Sequence, residues 1–290
     1  MQFIQQHEKG EGNWGTVLLT LSISLGAAAV GGLVSGILMA LLGIHPDSIE
    51  IDKNLLLFFM IVPFAFLICA LLLCIKWLHK RPIWSLFTAR ERFDWKRLLF
   101  AFGSWMFVLI TTLFIGMAFG QPVEWNVNWS TFFPLLLVSF LMLPLQTAAE
   151  DLLFRGYLLQ SFHQWFGKPL LSILFSGALF GLVHMGNPEI AKIGELILIY
   201  YVAVGIFLAL ITHLDNGLEL GMGYHAANNI FAALVVTNNW QAFQTDALFI
   251  DYTPPSFGWD IIISLVLVHP LLLIVFSKVF KWNNWSRLIR

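Results

Sequence analysis

The stretch Ala148-Ala149-Glu150-Asp151-Leu152-Leu153-Phe154-Arg155-Gly156 sets two carboxylates side by side, with an arginine four residues after the second. On a helix Asp151 and Arg155 share a face one turn apart, while Glu150 points about 100° away from Asp151. Apolar runs flank the stretch at 131–148 and 169–185, and Gly167-Lys168-Pro169 breaks the chain between them. The reading is an antiparallel hairpin of two helices, each near the length of about 20 residues that a bilayer requires. Charges in such a setting cost about 3 kcal/mol each unless they pair or do chemistry. The stretch reads as a site.

The rest of the chain fits that hairpin. Of 290 residues, 58% are hydrophobic and 11% charged, with 12 Trp and 27 Phe; the mean hydropathy is +0.78. A water-soluble domain carries about 25% charged residues, so the expected fold class is all-α, a polytopic membrane protein. Apolar runs at 15–42, 55–78, 98–119, 131–148, 169–185, 193–212, 219–237 and 259–280 predict about eight transmembrane helices. The first is too long for a signal peptide and is expected to be retained. Its Gly26, Gly31, Gly32 and Gly36 form a small-residue face for close helix packing. No repeat or low-complexity segment interrupts the pattern. The expected division is 1–120 as N-terminal membrane helices with a basic loop at 79–97, 121–240 as the core, and 241–290 as a last loop and helix. The polar segment 80–97, with Trp84, Phe87 and Trp95, reads as an amphipathic helix or loop at the interface.

Eight spans put both termini on one side. Fourteen of the 16 Lys and Arg residues fall there, leaving Lys53 and Lys192 opposite, so both termini are expected in the cytoplasm. A formal net charge of −1 offers no basic face, so no nucleic-acid partner is expected. Cys69 and Cys74 read as packing residues.

Two further blocks hold polar residues that lipid would not tolerate: Phe180-Gly181-Leu182-Val183-His184, and His225-Ala226-Ala227-Asn228-Asn229. Phe180 shares a helical face with His184, as His225 does with Asn229. Glu150 lies 17 residues before Gly167 and His184 lies 17 after it, so the hairpin puts both at one height. That height is about 25 Å from the hairpin tip. If 155–165 projects from the membrane as its Arg155, Gln160, His163 and Gln164 suggest, the site lies in the inner half and opens to the cytoplasm. His163, His213 and His269 read as packing histidines, Asn228 as a packing residue, and Glu195 and Glu219 as interfacial.

The three blocks together resemble the CPBP family of intramembrane proteases, which includes the eukaryotic CAAX prenyl endopeptidases of the Rce1 type and the bacterial Abi, or bacteriocin-immunity, proteins. The family pattern EExxxR, FxxxH and HxxxN is matched by Glu150-Asp151 with Arg155, Phe180 with His184, and His225 with Asn229. The match runs over about 131–237, and Asp151 stands where the family usually has a second glutamate.

The resemblance implies an active site among the fourth, fifth and seventh helices and an endopeptidase acting on a membrane-embedded or lipidated substrate. Glu150 would activate water with help from His184, and His225 and Asn229 would stabilise the oxyanion. Asp151, Arg155 and Phe180 would support them. No cofactor is implied, but a zinc site built from Glu150, His184 and His225 is a chemically sound alternative. The chain lacks HExxH, the rhomboid GxSG and GxGD. A non-catalytic immunity or binding protein that keeps the pocket is the alternative outside enzymes. The absence of organellar signals points to a bacterial cytoplasmic membrane.

Overall fold

A computed structural model describes residues 1–44, 52–283 and 285–288; of the basic residues counted above, Arg290 lies outside them. The protein is an all-α, multi-pass integral membrane protein. Among the described residues, seven helices are long and apolar enough to cross a bilayer: α1 (Trp14–Leu41), α2 (Lys53–Leu78), α3 (Trp95–Ala118), α4 (Trp129–Phe166), α5 (Pro169–Gly186), α6 (Ile197–Asp215) and, last in the chain, α8 (Trp259–Val279). The eighth expected span is present but different in kind. Helix α7 (Glu219–Ile230) continues through a π-helical turn, Phe231–Val235, and its residues are mostly buried by neighbouring helices. It packs against α3, α4 and α6, so its apolar side chains face protein. That placement explains how His225, Asn228 and Asn229 sit in a membrane helix without meeting lipid.

Large apolar side chains at 40% exposure or more cover α1, α3 and α8. In water this would be an aggregation surface; in a bilayer it is the lipid-facing coat. The small-residue face expected on α1 is realised at one position. A Cβ at Gly31 would come within 2.9 Å of Pro63 Cα, whereas Gly26, Gly32 and Gly36 have nothing within 4 Å. The tightest helix pair is α5 with α6. There Gly177 and Gly181, four residues apart, let the backbone of α6 approach so closely that a Cβ on either would lie 2.6 Å from Ile206 Cα or Val202 Cα.

The two ends of the bundle differ. One end gathers both chain-terminal segments: Phe3 N–H donates to Asn216 Oδ1 (3.2 Å) and Trp282 Nε1 donates to Asp215 Oδ1 (2.8 Å). The polar segment after α2 docks here as a loop with one 3-10 turn, Ile83–Leu86, with Leu86 fully buried. Gln160 Nε2 donates to Ser85 O (2.9 Å), and Leu218 N–H donates to Phe87 O (2.8 Å). Asp215 and Glu219 are buried carboxylates paired with Arg90 at 2.9 and 3.0 Å, and Arg97 also pairs with Asp215. Glu219 is therefore enclosed rather than interfacial. The opposite end carries a small three-stranded sheet, β1 (Val123–Trp125), β2 (Val236–Thr237) and β3 (Phe249–Asp251), in the order β1-β3-β2. Strand β3 runs antiparallel to β1 and parallel to β2.

The segment 155–165, expected to project beyond the membrane, ends a helix of 38 residues, about 57 Å long and so longer than a bilayer core is thick, but most of it faces protein rather than water. Residues 151–162 are buried throughout. The 3-10 helix Phe3–Lys9 and helix α5 pack on this part of α4, and Gln164 Nε2 donates to Gly12 O (2.9 Å). Two histidines, His269 buried and His163 half-buried, pack against aromatic or polar neighbours. His269 is held between Tyr224 OH (2.8 Å) and Ser264 O (2.7 Å). His163 meets His7 edge to face, their ring centroids 6.0 Å apart.

Candidate active site

Each of the three sequence blocks sits where its helix departs from regular α geometry. Glu150 and Asp151 close the α-helical part of α4, and a π-helical turn, Leu152–Leu158, follows at once. His184 lies in a 3-10 turn, Val183–Gly186, that ends α5. Asn229 precedes the π-helical turn of α7 by two residues. Such breaks re-aim side chains and concentrate at functional sites.

The blocks converge on one cavity of about 300 Å³. Glu150, Phe180, His184, His225, Asn228 and Asn229 all line it. Asp151 and Arg155 lie beneath it, each side chain 1% exposed, with Arg155 Nη1 donating to Asp151 Oδ1 at 2.9 Å. The ring of Phe180 separates this pair from the cavity. Its face covers the guanidinium, with Arg155 Cζ 3.7 Å from the ring centroid. Its ring also meets His184 (4.7 Å between centroids) and His225 (5.7 Å) at steep angles. One aromatic ring thus screens the buried cation and positions both histidines.

His225 sits between the two acids, with Nε2 3.6 Å from Glu150 Oε2 and Nδ1 3.4 Å from Asp151 Oδ1. Both separations exceed a direct hydrogen bond. His184 donates from Nδ1 to Phe180 O at 2.7 Å. A carbonyl can only accept, so Nδ1 carries the proton and Nε2 of the neutral ring is left free. Tyr201 of α6 stacks on the His184 ring, 4.5 Å between centroids and 20° between planes.

Sequence reasoning missed Gln146. It lies one turn before Glu150, donates from Nε2 to Glu150 Oε1 (2.6 Å), and accepts at Oε1 from Asn229 Nδ2 (2.7 Å). The i, i+4 spacing to Glu150 was the available signal. Asn228 extends the chain, donating to Asn229 Oδ1 (3.3 Å) and accepting from Trp105 Nε1 (3.2 Å). After these bonds Glu150 Oε2 remains a buried acceptor without a hydrogen-bond partner. Gln146 fixes its other oxygen, so Oε2 is held in place 3.6 Å from His225 Nε2.

The lining also includes Met60, Ile61 and Phe64 of α2, Tyr200, Tyr201 and Val204 of α6, Asn187 and Glu189 at the start of a short helix, Pro188–Ile193, and Gln241 to Phe243. Those last two segments belong to the end that carries the sheet: Glu189 Oε1 accepts from Ala242 N–H (2.9 Å), and Lys53 Nζ pairs with Asp246 (2.6 Å). Toward the other end the site is sealed by an apolar cluster that includes Phe154, Tyr157, Leu158, Phe162, Leu86 and Phe3. The cavity therefore lies between this apolar cluster and the sheet-bearing end. Among the described residues no three His, Cys, Asp and Glu side chains are grouped so that they could hold a metal ion.

Residues 128–231 match the family model for type II CAAX prenyl endopeptidases of the Rce1-like kind. The uncharacterised protein YyaK of Bacillus subtilis (strain 168) is 32% identical over 179 residues, 61% of this chain and 60% of YyaK. The chain thus spans less than two thirds of that relative's length. No solved structure matches. The matched segment begins at α4 and ends just past Asn229, so it holds every residue of the three blocks. Over residues 128–231 the chain is similar to the Rce1-like type II CAAX prenyl endopeptidases.

Proposed function

We propose that the protein is an intramembrane endopeptidase that hydrolyses a peptide bond of a membrane-associated or lipidated substrate, without a metal. The observation that carries the reading is the state of Glu150: one carboxylate oxygen is anchored by Gln146 and the other is buried and free. A water held between that oxygen and His184 Nε2 would lose a proton to Glu150 as its oxygen attacks the scissile carbonyl. The carbonyl's electron pair moves onto its oxygen. His225 Nε2 and the second N–H of Asn229 are the donors for that oxyanion, and each such donor is worth about 3–4 kcal/mol. Collapse breaks the C–N bond, and the proton on Glu150 passes to the leaving amine.

Asp151 acts at one remove, through the Nδ1 side of His225. Arg155 neutralises Asp151, and Phe180 keeps both out of the cavity. A substrate that enters among Met60, Phe64 and Tyr201 meets apolar and aromatic walls, which suits a lipid-embedded segment. Among the described residues no Lys or Arg lines the cavity.

The test uses purified protein in lipid vesicles with a pool of membrane-anchored peptides. Wild type is expected to cleave, in strong chelator as well as without it, and Glu150→Gln to fall by at least 100-fold while remaining folded. Stoichiometric zinc with loss of cleavage in chelator would replace the metal-free route by the zinc one. Full cleavage by Glu150→Gln would remove Glu150 from the mechanism.

A further inference from the structure

A second concavity lies away from the candidate site, on the outer surface of the bundle between α3 and α8, with a volume of about 540 Å³. Leu99, Gly103 and Phe107 of α3 and Val268, Leu271 and Val275 of α8 line it. Leu99, Phe107 and Leu271 are each more than half exposed, so the groove is open to lipid. Gly103 accounts for its depth. A Cβ there would meet nothing within 4 Å, so the missing side chain, unlike those of Gly177 and Gly181, serves no helix contact. A glycine in a helix interior costs about 1 kcal/mol relative to alanine, and what it yields here is space. At one end of the groove the two helices are joined by rings, Phe100 meeting Phe276 and Phe280 with centroids 6.1 and 5.4 Å apart.

The same two faces carry unspent charge. Lys96 precedes Leu99, Gly103 and Phe107 by 3, 7 and 11 residues, and Lys278 follows Val275, Leu271 and Val268 by 3, 7 and 10. At helical spacing each lysine extends its helix's lining stripe by one turn. The Phe100 contacts bring these two turns side by side, so both lysines stand at the same end of the groove. Lys96, Lys278 and the nearby Lys281 are exposed. Among the described residues the ion-paired lysines are Lys53 and Lys80, which leaves these three unpaired. The acids around them are engaged: Asp94 with Arg97 at 3.1 Å, Asp215 with Arg90 and Arg97, and Glu219 with Arg90. Glu91 lies exposed in the loop before α3, beside Arg92. Arg97 itself is turned inward, its Cζ 4.3 Å from the centre of the Phe280 ring. Trp95, 65% exposed, sits at the same level, as tryptophans do at a membrane–water boundary.

We propose that this groove is a binding site for an anionic diacyl phospholipid, with one acyl chain lying along Gly103 between α3 and α8 and the phosphate held by Lys96 and Lys278. The apolar walls fit an acyl chain of any lipid; the unpaired lysines select the charge of its headgroup. In a phospholipid the phosphate stands where the acyl chains begin, and the lysines stand where the groove begins, so one molecule meets both. A second copy of this chain fits the groove less well. A two-fold contact places the same patch of both subunits face to face, which would set the two lysine pairs against each other. The lipid would also brace α3 from outside. On its inner side α3 packs on α7, where Trp105 Nε1 donates to Asn228 Oδ1 at 3.2 Å, so an occupied groove supports the helix that carries His225 and Asn229. The site does not depend on the proteolytic reading.

The experiment titrates the purified full chain, in a neutral detergent, with phosphatidylglycerol or with phosphatidylcholine of the same acyl chains. Bound lipid is counted by native mass spectrometry, and the unfolding midpoint is followed by circular dichroism. Wild type is expected to hold phosphatidylglycerol about tenfold more tightly than phosphatidylcholine, and its midpoint to rise with phosphatidylglycerol. Lys96→Gln combined with Lys278→Gln should remove the preference, whereas Lys168→Gln, on the turn between α4 and α5, should keep it. Gly103→Leu fills open space, so it should weaken the binding of both lipids and leave the lipid-free midpoint near that of wild type. Equal binding of the two lipids by wild type, or a preference that survives the double lysine variant, would overturn the headgroup assignment. Unchanged binding by Gly103→Leu would overturn the groove. A dimer that forms without lipid and is dispersed by Gly103→Leu would put a second copy of the chain there instead.

Discussion

Removing the guanidinium beneath the cavity gives the sharpest energetic prediction. Asp151 and Arg155 are both 1% exposed and joined by one 2.9 Å hydrogen bond. Arg155 Nε and Nη2 and Asp151 Oδ2 have no hydrogen-bond partner, so the rest of the compensation comes from Phe180 and the pair's own attraction. At an effective dielectric near 20, opposite charges this close attract by about 6 kcal/mol. Desolvation takes back several kcal/mol of that, which makes the intact pair worth little net. Arg155→Met leaves the Asp151 charge buried and unpaired and also loses the cation–π contact. A loss of about 3–5 kcal/mol follows. Asp151→Leu strands the arginine and costs a similar amount. The double variant has no buried charge and is expected within about 2 kcal/mol of wild type, so the coupling, the double loss minus the sum of the singles, has a magnitude of at least about 4 kcal/mol. Reversible unfolding in mixed micelles, followed by circular dichroism, reads all four corners of the cycle. Single variants within about 1 kcal/mol of wild type, or a double variant as unstable as the sum of the singles, would refute the reasoning.

Three further outcomes are expected. Gly177→Ala pushes a methyl against the Ile206 backbone, and overpacking here should cost about 1–3 kcal/mol, read as a lower midpoint in the same unfolding assay; an unchanged midpoint would mean that α5 and α6 can part freely. Asn229→Ala removes both a donor toward the cavity and the bond that holds Gln146 on Glu150, so turnover should fall by about 100-fold with KM nearly unchanged; an effect confined to KM would move Asn229 to substrate binding. His7 is pushed down to about 4, by burial first and then by the neighbouring His163 and Arg81. Its folded value lies below its ordinary 6.5. The docked N-terminal segment is therefore fully stabilised above about pH 6.5, and that contribution fades as pH falls toward 4. Hydrogen exchange of residues 3–9 should quicken over that range, and His7→Gln should flatten the dependence; exchange that ignores pH would contradict the placement.

Much of the fold was legible because lipid imposes a simple rule: long apolar runs with turns between them. Even the hairpin count, 17 residues either side of Gly167, put Glu150 and His184 at one cavity. What the runs could not show is which span faces protein. Helix α7 lies in one of the apolar runs, yet it is mostly buried by protein, and its polar residues Glu219, His225, Asn228 and Asn229 were the hint. The burial of 155–162 within protein was missed for a related reason. Arg155, Gln160 and Gln164 looked like a water-facing surface, but each has a partner far away in sequence: Phe180 over Arg155, Arg81 and Ser85 on Gln160, Gly12 on Gln164. Partners of that kind carry no local pattern. Gln146 escaped for the opposite reason: it does have the right spacing to Glu150, but a lone amide in an apolar helix carries no charge to demand an account.

The most direct test of the central claim compares the peptide termini found in membranes of cells expressing wild type with those of cells expressing Glu150→Gln at equal levels. The account predicts new cleavage ends in wild type that vanish in the variant, lying in membrane-associated or lipidated peptides. Identical termini in the two, with both proteins folded, would contradict it and leave a non-catalytic binding or immunity role.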